Sequence, residues 1–291
     1  MSAEITVTSV RNVLTRATGY LQTVCSHSLQ PYRGCTYGNA LCGVGCYVQH
    51  QKHLLRGREW GRFLEVRANT AESYLEHVAS EARWARRQRG TFSIFCSSVT
   101  DPFVPQERHY GITRSLLQAM QHSPPDELIV QTHAPLVTLA LPELAALNSR
   151  CRVRVHLSIE SDLDRLPGLP PPAASVAKRL QACRQLRDAG IRTVVTIAPL
   201  LPIARPQAFF KRISESADAV VLDHFIGGDG TATGSRTRHT PLPAAMEAVC
   251  PQALSLTYRE EMAAIAQQFL PGQVGIGIDG FASRMLPSPP V

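Results

Sequence analysis

Hydrophobic positions in this chain fall into short apolar runs that alternate with segments of helical periodicity. The apolar runs predict strands at residues 63–67, 91–96, 128–132, 153–159, 191–198, 219–222 and 274–278. The periodic segments predict helices over residues 70–89, 109–121, 141–148, 207–216 and 259–269, with a further helix that ends at Gly190. Strands and helices that alternate at this rhythm indicate parallel β-α-β units.

The helix predicted over residues 70–89 shows its pattern most clearly. Asn69 or Thr70 is expected to cap its N-terminus, since both residue types accept hydrogen bonds from the first free N–H groups of a helix. The spacing of its apolar residues predicts a buried face made by a set of four residues: Leu75, Val78, Ala79 and Ala82.

The order of the predicted elements favours one α/β domain over residues 1–291, with an N-terminal lead-in of about 24 residues. We expect a partial (open) β/α barrel of about six parallel strands. In β/α barrels the loops after the C-terminal ends of the strands carry the active site. Those loops contain residues 35–46, 96–101, 132–133, 158–160, 198–199, 223–224 and position 279.

Composition narrows the class of protein. The chain is 44% hydrophobic and 18% charged, which is typical of a globular protein. No apolar run approaches the roughly 20 residues that a membrane helix needs, and the first residues have no secretory pattern, so we expect a cytoplasmic protein without a membrane partner.

The net charge is +7, which permits attraction to phosphates. The densest basic segment carries four arginines at helical spacing, Arg83, Arg86, Arg87 and Arg89. Such spacing is more typical of a solvated helix face, so nucleic acid stays open as a partner without being established.

Three cysteines, Cys35, Cys42 and Cys46, lie close together in the chain. Thiolates are soft ligands that select zinc or the iron of an iron–sulfur cluster. A cube usually takes four protein thiolates, so a site with three leaves one iron open to another ligand. The alternative is a zinc-containing nucleic-acid-binding protein in which Cys25 or His27 supplies the fourth ligand.

Seven segments of the chain together resemble one known family. They read TRATGYLQTVCSHSLQPYRGC, CYVQH, FCSSVTDPFVPQE, LIVQTHAPL, VHLSIES, RLQACRQLRDAGIRTVVTIAPLLP and VGIGIDGF. In this order they resemble the radical S-adenosylmethionine superfamily, specifically its spore photoproduct lyase-like branch, over about residues 13–281. The cysteine loop departs from the family pattern, because its spacing is Cys-x6-Cys-x3-Cys and residues 39–41 look like an insertion.

The resemblance implies an open barrel in which Cys35, Cys42 and Cys46 hold a [4Fe–4S] cluster whose open iron binds S-adenosylmethionine. Reductive cleavage of S-adenosylmethionine would give a 5′-deoxyadenosyl radical that abstracts a substrate hydrogen, with electrons from a flavodoxin- or ferredoxin-type partner. DNA repair is one role that the branch suggests. A non-catalytic iron–sulfur scaffold is the alternative if the lengthened loop no longer supports cleavage.

The resemblance also suggests individual site residues. Cys96 falls where the family carries a thiol that returns a hydrogen atom to the product radical. Residues expected to contact the cofactor are Tyr47, Ser97, Ser98, Asp101, Thr132, Ser158 and Glu160. His133 is a candidate proton donor, although a lone histidine is usually structural, and Arg179 is expected in a surface ion pair. A phosphate site at the glycine-rich segment after Asp223 is only weakly indicated.

Overall fold

The computed structural model describes residues 3–288, so residues 1–2 and 289–291 of the predicted domain lie outside the described range. The strands are β1 Glu4–Thr8, β2 Leu14–Arg16, β3 His27–Leu29, β4 Tyr32–Cys35, β5 Phe63–Arg67, β6 Ser93–Cys96, β7 Glu127–Thr132, β8 Arg152–Ser158, β9 Arg192–Ile197, β10 Ala219–Leu222 and β11 Val274–Ile276. The α-helices are α1 Leu41–Val44, α2 Lys52–Leu55, α3 Thr70–Arg89, α4 Glu107–Tyr110, α5 Ile112–His122, α6 Leu141–Asn148, α7 Val176–Asp188, α8 Pro206–Ser214, α9 Phe225–Gly228, α10 Ser235–Arg238, α11 Leu242–Val249, α12 Leu256–Phe269 and α13 Gly277–Phe281. Short 3₁₀ helices cover Gly19–Thr23, Tyr47–His50, Pro135–Ala140 and Pro251–Leu254.

The larger sheet confirms the predicted open β/α barrel. Its strand order is β11-β10-β9-β8-β7-β6-β3-β2. Neighbouring strands from β3 to β11 are parallel, and β2 adds to the edge in antiparallel orientation. Strand β3, which precedes β4 and the cysteine loop, is the first of these parallel strands in the chain. The sheet is not closed, because β2 and β11 lie at opposite ends of the order.

A separate three-stranded sheet supports the cysteine loop. The predicted strand 63–67 forms as β5, but it pairs with β1 and β4 rather than with the barrel. In its antiparallel pairing with β4, Val66 lies opposite Tyr32 and Phe63 lies opposite Cys35. The chain therefore leaves the barrel after β3, makes the cysteine loop and returns through β5. The predicted lead-in supplies β1 to this sheet and β2 to the larger one.

Strands β6 to β10 are buried on both faces, and the two faces belong to different cores. The outer face packs against the helices, with Ile94, Cys96 and Val130 in one cluster that includes residues of α3, α5 and α7. The inner face carries Phe95 and Val221, which pack with Phe281 and the 3₁₀ segment Gly19–Thr23. Alternate residues of one strand therefore contribute to opposite sides of the sheet.

Helix α3 has the predicted bounds and half of the predicted face. Val78 and Ala82 are buried as predicted, whereas Leu75 is 45% exposed and Ala79 is also exposed. Tyr74 is buried instead, and its hydroxyl donates to the carbonyl of Ser123, 2.5 Å away, at the end of α5. Asn69 holds the N-cap position, but its side chain bonds the backbone of Val10 instead of capping the helix.

The helix predicted over residues 109–121 is interrupted. Gly111 has φ 61° and separates α4 from α5, a backbone conformation that glycine adopts without strain. Helix α6 has the predicted bounds, and α7 is followed by Gly190 with φ 74°, as a glycine C-cap predicts. Among residues 3–288, no helix combines the length and hydropathy that crossing a bilayer would require.

Candidate active site

A cavity of about 500 Å³ opens at the C-terminal edge of the barrel sheet, between the strand ends and the cysteine loop. The barrel contributes residues that follow β6 to β10, and the small sheet contributes the loop that begins at Cys35. Predicted site residues that line the cavity are Cys35, Cys42, Cys46, Tyr47, Ser98, Asp101, Ser158 and Glu160. The structure therefore brings most of the predicted set to one place.

The three cysteines occupy successive parts of the loop. Cys35 ends β4, Cys42 lies in the single turn of α1, and Cys46 precedes the 3₁₀ segment Tyr47–His50. Burial raises the pKa of the Cys35 thiol to about 12 and that of Cys46 to about 11. The thiols would therefore ionise only beside a positive charge, and a bound metal would supply that charge.

Glycines allow the lengthened loop to fold back on itself. A Cβ atom on Gly43 would lie 1.9 Å from the carbonyl oxygen of Tyr37. A Cβ atom on Gly61, which has φ 84°, would lie 2.2 Å from the Cα of Gly38. The loop thus packs backbone against backbone, both within itself and against the segment that precedes β5. The Tyr37 N–H donates to Cys35 Sγ across 3.3 Å, as a cluster ligand would require.

Three thiols are the donor set of an iron–sulfur cluster with one open iron. A cubic [4Fe–4S] cluster binds each thiolate at a different iron, so its ligands do not need to converge on one point. A single zinc ion needs four donors around one point.

The predicted fourth zinc ligands are wrong. Cys25 packs in the inner core and its Sγ donates to the carbonyl of Leu21 across 3.6 Å. His27 lies 3.0 Å from Glu81 through Nε2, with its ring against Trp84. Neither residue lines the cavity that the three cysteines share.

Two carboxylates and two basic side chains form a network after β6, β7 and β8. His133 Nε2 lies 3.1 Å from Glu160 Oε1, and His133 Nδ1 lies 3.7 Å from Asp101 Oδ2. Arg179 donates from Nη1 to Glu160 Oε2 across 2.7 Å and to the Ser158 carbonyl across 2.8 Å. We call Asp101, His133, Glu160 and Arg179 the acid–base network.

The members of the acid–base network shift each other's pKa values toward the charged forms. Burial would lower the pKa of His133, but the neighbouring carboxylates of Asp101 and Glu160 raise that pKa to about 9. Burial would likewise raise the pKa of Glu160, yet Arg179 and His133 hold it well below its usual range. At neutral pH the histidine is therefore a cation and Glu160 an anion, so the network presents fixed and balanced charges.

The sequence predicted Arg179 in a surface ion pair, but the structure buries it. Its side chain is 3% exposed, because α7 packs across the outer face of the sheet and directs this residue to the end of β8. The prediction failed because a helix containing Lys178, Arg184 and Arg187 gives no sign of which basic residue faces inward.

Asp101 is held by its neighbours. It accepts hydrogen bonds from the Thr132 hydroxyl at 2.6 Å, the His133 N–H at 2.7 Å and the Phe103 N–H at 2.8 Å. Thr132 itself is buried and does not line the cavity, so it orients Asp101. Ser97 is also buried away from the cavity, with its hydroxyl donating to Gln30 and to the Thr100 carbonyl.

Cys96 is separated from the other predicted site residues. It is fully buried on the outer face of β6, among residues that pack against the helices, whereas its neighbour Phe95 lines the cavity. The predicted hydrogen-donor role of Cys96 therefore lacks direct access to the cavity.

Sequence reasoning included the strand end 223–224 in the predicted active-site loops but gave Asp223 no role, and it missed Tyr20 and Gln131. All three residues line the cavity, and Asp223, which directly follows β10, is 7% exposed. His224 is structural, since its Nε2 lies 3.0 Å from the Ala253 carbonyl and its Nδ1 accepts from the Ile226 N–H.

The weakly indicated phosphate site is not formed. In the glycine-rich segment after β10, Asp229 fills the position that an anion would take. Its carboxylate accepts from the Thr231 N–H at 2.9 Å and from the Thr237 N–H at 2.8 Å. The loop amides are thus already used by a side chain of the protein.

Comparison with known proteins relates this geometry to one fold. No family model matches the chain. It is 24% identical over 176 residues to an uncharacterised protein of Methanocaldococcus jannaschii, and 26% identical over 148 residues to an uncharacterised protein of Acidianus two-tailed virus. These matches cover 60% and 50% of this chain, and they span 60% and 44% of the two relatives.

Solved structures give the wider similarity. Spore photoproduct lyase complexed with dinucleoside spore photoproduct matches with a TM-score of 0.60 at 13% identity, covering 94% of this chain and 81% of that one. A mutant of the same enzyme with bound AdoMet and dinucleoside spore photoproduct matches with a TM-score of 0.62 at 14% identity and the same coverage. The chain therefore has the fold of spore photoproduct lyase, which confirms the predicted resemblance at the level of the fold.

Proposed function

We propose that this chain is a radical S-adenosylmethionine enzyme that holds one [4Fe–4S] cluster through Cys35, Cys42 and Cys46. One observation carries the proposal: the three thiols share a cavity with the acid–base network at the C-terminal edge of an open parallel sheet. When bound, the cluster and S-adenosylmethionine together supply a 5′-deoxyadenosyl radical, which abstracts a hydrogen atom from the substrate.

The acid–base network is suited to hold a zwitterionic cofactor. Glu160 is fixed by two cations and Asp101 by three hydrogen-bond donors, so neither carboxylate needs to reorganise on binding. Ser98 accepts from the Gln30 amide at 2.9 Å, which leaves its hydroxyl hydrogen free to donate. Ser158 and Tyr47 extend the polar contact surface along the same wall.

Apolar side chains would exclude water from this chemistry. Tyr47, Phe95 and Phe281 line the cavity together with aliphatic residues of the cysteine loop. A reactive carbon radical survives only where competing donors and water are kept away. The proposal does not require Cys96. Electrons would come from a flavodoxin- or ferredoxin-type partner.

We infer a small substrate rather than a lesion in DNA. The two arginines that line the cavity are engaged, Arg179 with Glu160 and Arg236 with the Asp229 carbonyl at 2.9 Å. A phosphate backbone would need several free cations. DNA repair is the alternative to a small substrate, and it is supported by the net charge of +7 and by the fold likeness.

Anaerobic reconstitution tests the proposal. Iron and sulfide are counted, the absorption spectrum is recorded, and 5′-deoxyadenosine is measured after dithionite and S-adenosylmethionine are added. We expect about four irons per chain and product formation. Cys42→Ala should lose both, whereas Cys250→Ser, a half-buried cysteine outside the cavity, should retain both.

Two other results have distinct meanings. Stoichiometric zinc in a colourless, folded protein would contradict the proposal and favour a zinc-containing nucleic-acid-binding protein. A full cluster without S-adenosylmethionine cleavage would instead favour a non-catalytic iron–sulfur scaffold. Cys96→Ser should retain cofactor cleavage, since its side chain packs on the outer face of β6.

A further inference from the structure

We propose that Asp223, Tyr20, Phe95 and Phe281 form the substrate subsite of this cavity, and that the subsite takes an amine-bearing apolar molecule. We call these four residues the Asp223 subsite. The assignment of the cavity to an enzyme rests on the proposed function, but the ligand class rests on the contacts of these residues.

The subsite is one contiguous surface on the inner side of the barrel. The Tyr20 hydroxyl donates to Asp223 Oδ2 across 3.4 Å. The ring centroid of Phe281 lies 6.4 Å from that of Tyr20 and 6.4 Å from that of Phe95. All four residues line the cavity, so an apolar ligand would pack among three aromatic rings with one carboxyl group beside it.

Asp223 is the exceptional group of this surface. It is 7% exposed, and within residues 3–288 no lysine, arginine or histidine forms an ion pair with it. Arg259 acts on it only through space and is hydrogen-bonded to Glu260 at 2.6 Å. Among the described residues its hydrogen-bond donors are the backbone N–H of His224 and a single side chain, the Tyr20 phenol, whose distance is near the limit of a hydrogen bond.

A buried carboxylate with so little compensation favours a cationic ligand. Charge that has left water is stabilised only by a partner charge and by hydrogen bonds. The carboxylate packs directly against Gly228, where a Cβ atom would lie 2.6 Å from Oδ2, so a residue with a side chain could not replace this glycine without moving the carboxylate. A ligand ammonium group would complete the ion pair, and its apolar part would cover the three rings.

A second polar atom of the cavity also lacks a partner. Gln131 donates from its amide nitrogen to the Ser158 hydroxyl at 2.8 Å and to the Thr196 hydroxyl at 2.9 Å. Its Oε1 is buried and has no hydrogen-bond partner among residues 3–288. Gln131 lines the same cavity as the Asp223 subsite, so a second N–H of the ligand would have an acceptor.

Equilibrium binding of 2-phenylethylamine tests the ligand class, with 2-phenylethanol as the uncharged probe of the same shape. The full chain is used with its cluster, and binding is followed by calorimetry. We expect the amine to bind wild type more tightly than the alcohol. Asp223→Asn should weaken the amine by at least about tenfold, because truncating a buried charge pair is costly, while leaving the alcohol unchanged. Glu247→Gln, an exposed carboxylate, should change neither.

The outcomes separate this inference from the proposed function. Equal binding of the two probes, or an amine affinity that Asp223→Asn leaves intact, overturns the amine class. Weaker binding of S-adenosylmethionine to Asp223→Asn would assign the carboxylate to the cofactor and overturn the substrate subsite. Failure of the proposed function appears elsewhere, as absence of iron or of 5′-deoxyadenosine formation by the wild-type protein.

Discussion

The two polar regions of the cavity handle charge in opposite ways. In the acid–base network each carboxylate has a basic partner within 4 Å, and the shortest of these contacts is 2.7 Å, between Arg179 Nη1 and Glu160 Oε2. In the Asp223 subsite the described residues offer the carboxylate no ion pair, only the Tyr20 phenol at 3.4 Å and the backbone N–H of His224. The charges of the first region are therefore balanced within the protein, whereas the second region is short of one positive charge.

The difference predicts how each region responds to change. A compensated network fixes geometry, so removing one member should damage folding. An uncompensated carboxylate burdens folding and is retained for binding, so removing it should stabilise the protein while function suffers. Stability and binding measurements can therefore distinguish a positioning device from a recognition site.

The largest effect is expected from Arg179→Met. It leaves Glu160 buried with His133 as its remaining partner, and loss of one member of a buried pair costs about 3–5 kcal/mol. The free energy of unfolding, from urea denaturation, measures this. The matched control is Arg86→Met, which removes an exposed pair with Asp126 and should cost about 0–1 kcal/mol. Similar losses in both variants would contradict a special role for the network.

Asp223→Asn should have the next largest effect, with the opposite sign. Burial raises the pKa of Asp223 from 3.8 to about 6, so the folded state holds this proton more tightly than the unfolded state. The resulting stability is complete below pH 3.8 and is lost as the pH rises through 6. Between about pH 4 and pH 7, wild type should lose roughly 2–3 kcal/mol relative to the variant.

Urea denaturation across that pH range measures the relative loss. The control is Glu247→Gln, whose exposed carboxyl should leave the pH dependence of wild type unchanged. A constant difference between Asp223→Asn and wild type would show that the carboxyl is compensated after all, and the contrast between the two regions would disappear.

The sequence predicted the architecture well because apolar runs are strong signals for parallel strands. Strands β6 to β11 lie where those runs occur. Strands β3 and β4 are not marked by such apolar runs. β3 pairs with β6 and β4 pairs with β5, in both cases with residues more than 25 positions further along the chain. Local sequence therefore could not show that Phe63–Arg67 joins the small sheet.

The site was harder to predict because face is ambiguous in a strand that is buried on both sides. Phe95 and Cys96 are both buried, so β6 has no alternation that marks its inner face. Cys96 was assigned to the site from the family resemblance, and a strand without alternation offers no signal that would correct this to Phe95, which lines the cavity. Asp223 continues the inner face beyond Val221, and its strand end was among the predicted active-site loops without a role assigned to it.

A smaller pH effect should distinguish His133 from Asp223. Although burial lowers the pKa of His133, its two carboxylate partners raise it from 6.5 to about 9. Its contribution to stability is complete below pH 6.5 and is lost as the pH rises through 9. With its side chain 34% exposed, solvent screening limits the contribution to about 1–2 kcal/mol.

The comparison of wild type with His133→Gln measures that contribution. Between about pH 6.5 and pH 9 the stability advantage of wild type over His133→Gln should shrink. The advantage of Asp223→Asn over wild type, by contrast, should be almost fully developed by about pH 6.5. His77→Gln is the control, because this histidine lies on α3 outside the cavity. An advantage that persists at pH 9 would mean that the histidine is not charged by the network.

The smallest expected change tests how isolated the Asp223 carboxyl is. Tyr20→Phe removes the phenol hydrogen bond, which lowers the pKa of Asp223, so that pKa should rise in the variant. At 3.4 Å the bond is weak, and stability should change by less than about 1 kcal/mol. The midpoint of the Asp223-dependent stability loss should therefore move to higher pH, and the loss should grow by about 1.4 kcal/mol for each pH unit of that shift. If Tyr20→Phe instead destabilised the protein as strongly as Arg179→Met, the phenol would be a full partner, and both regions of the cavity would be compensated networks.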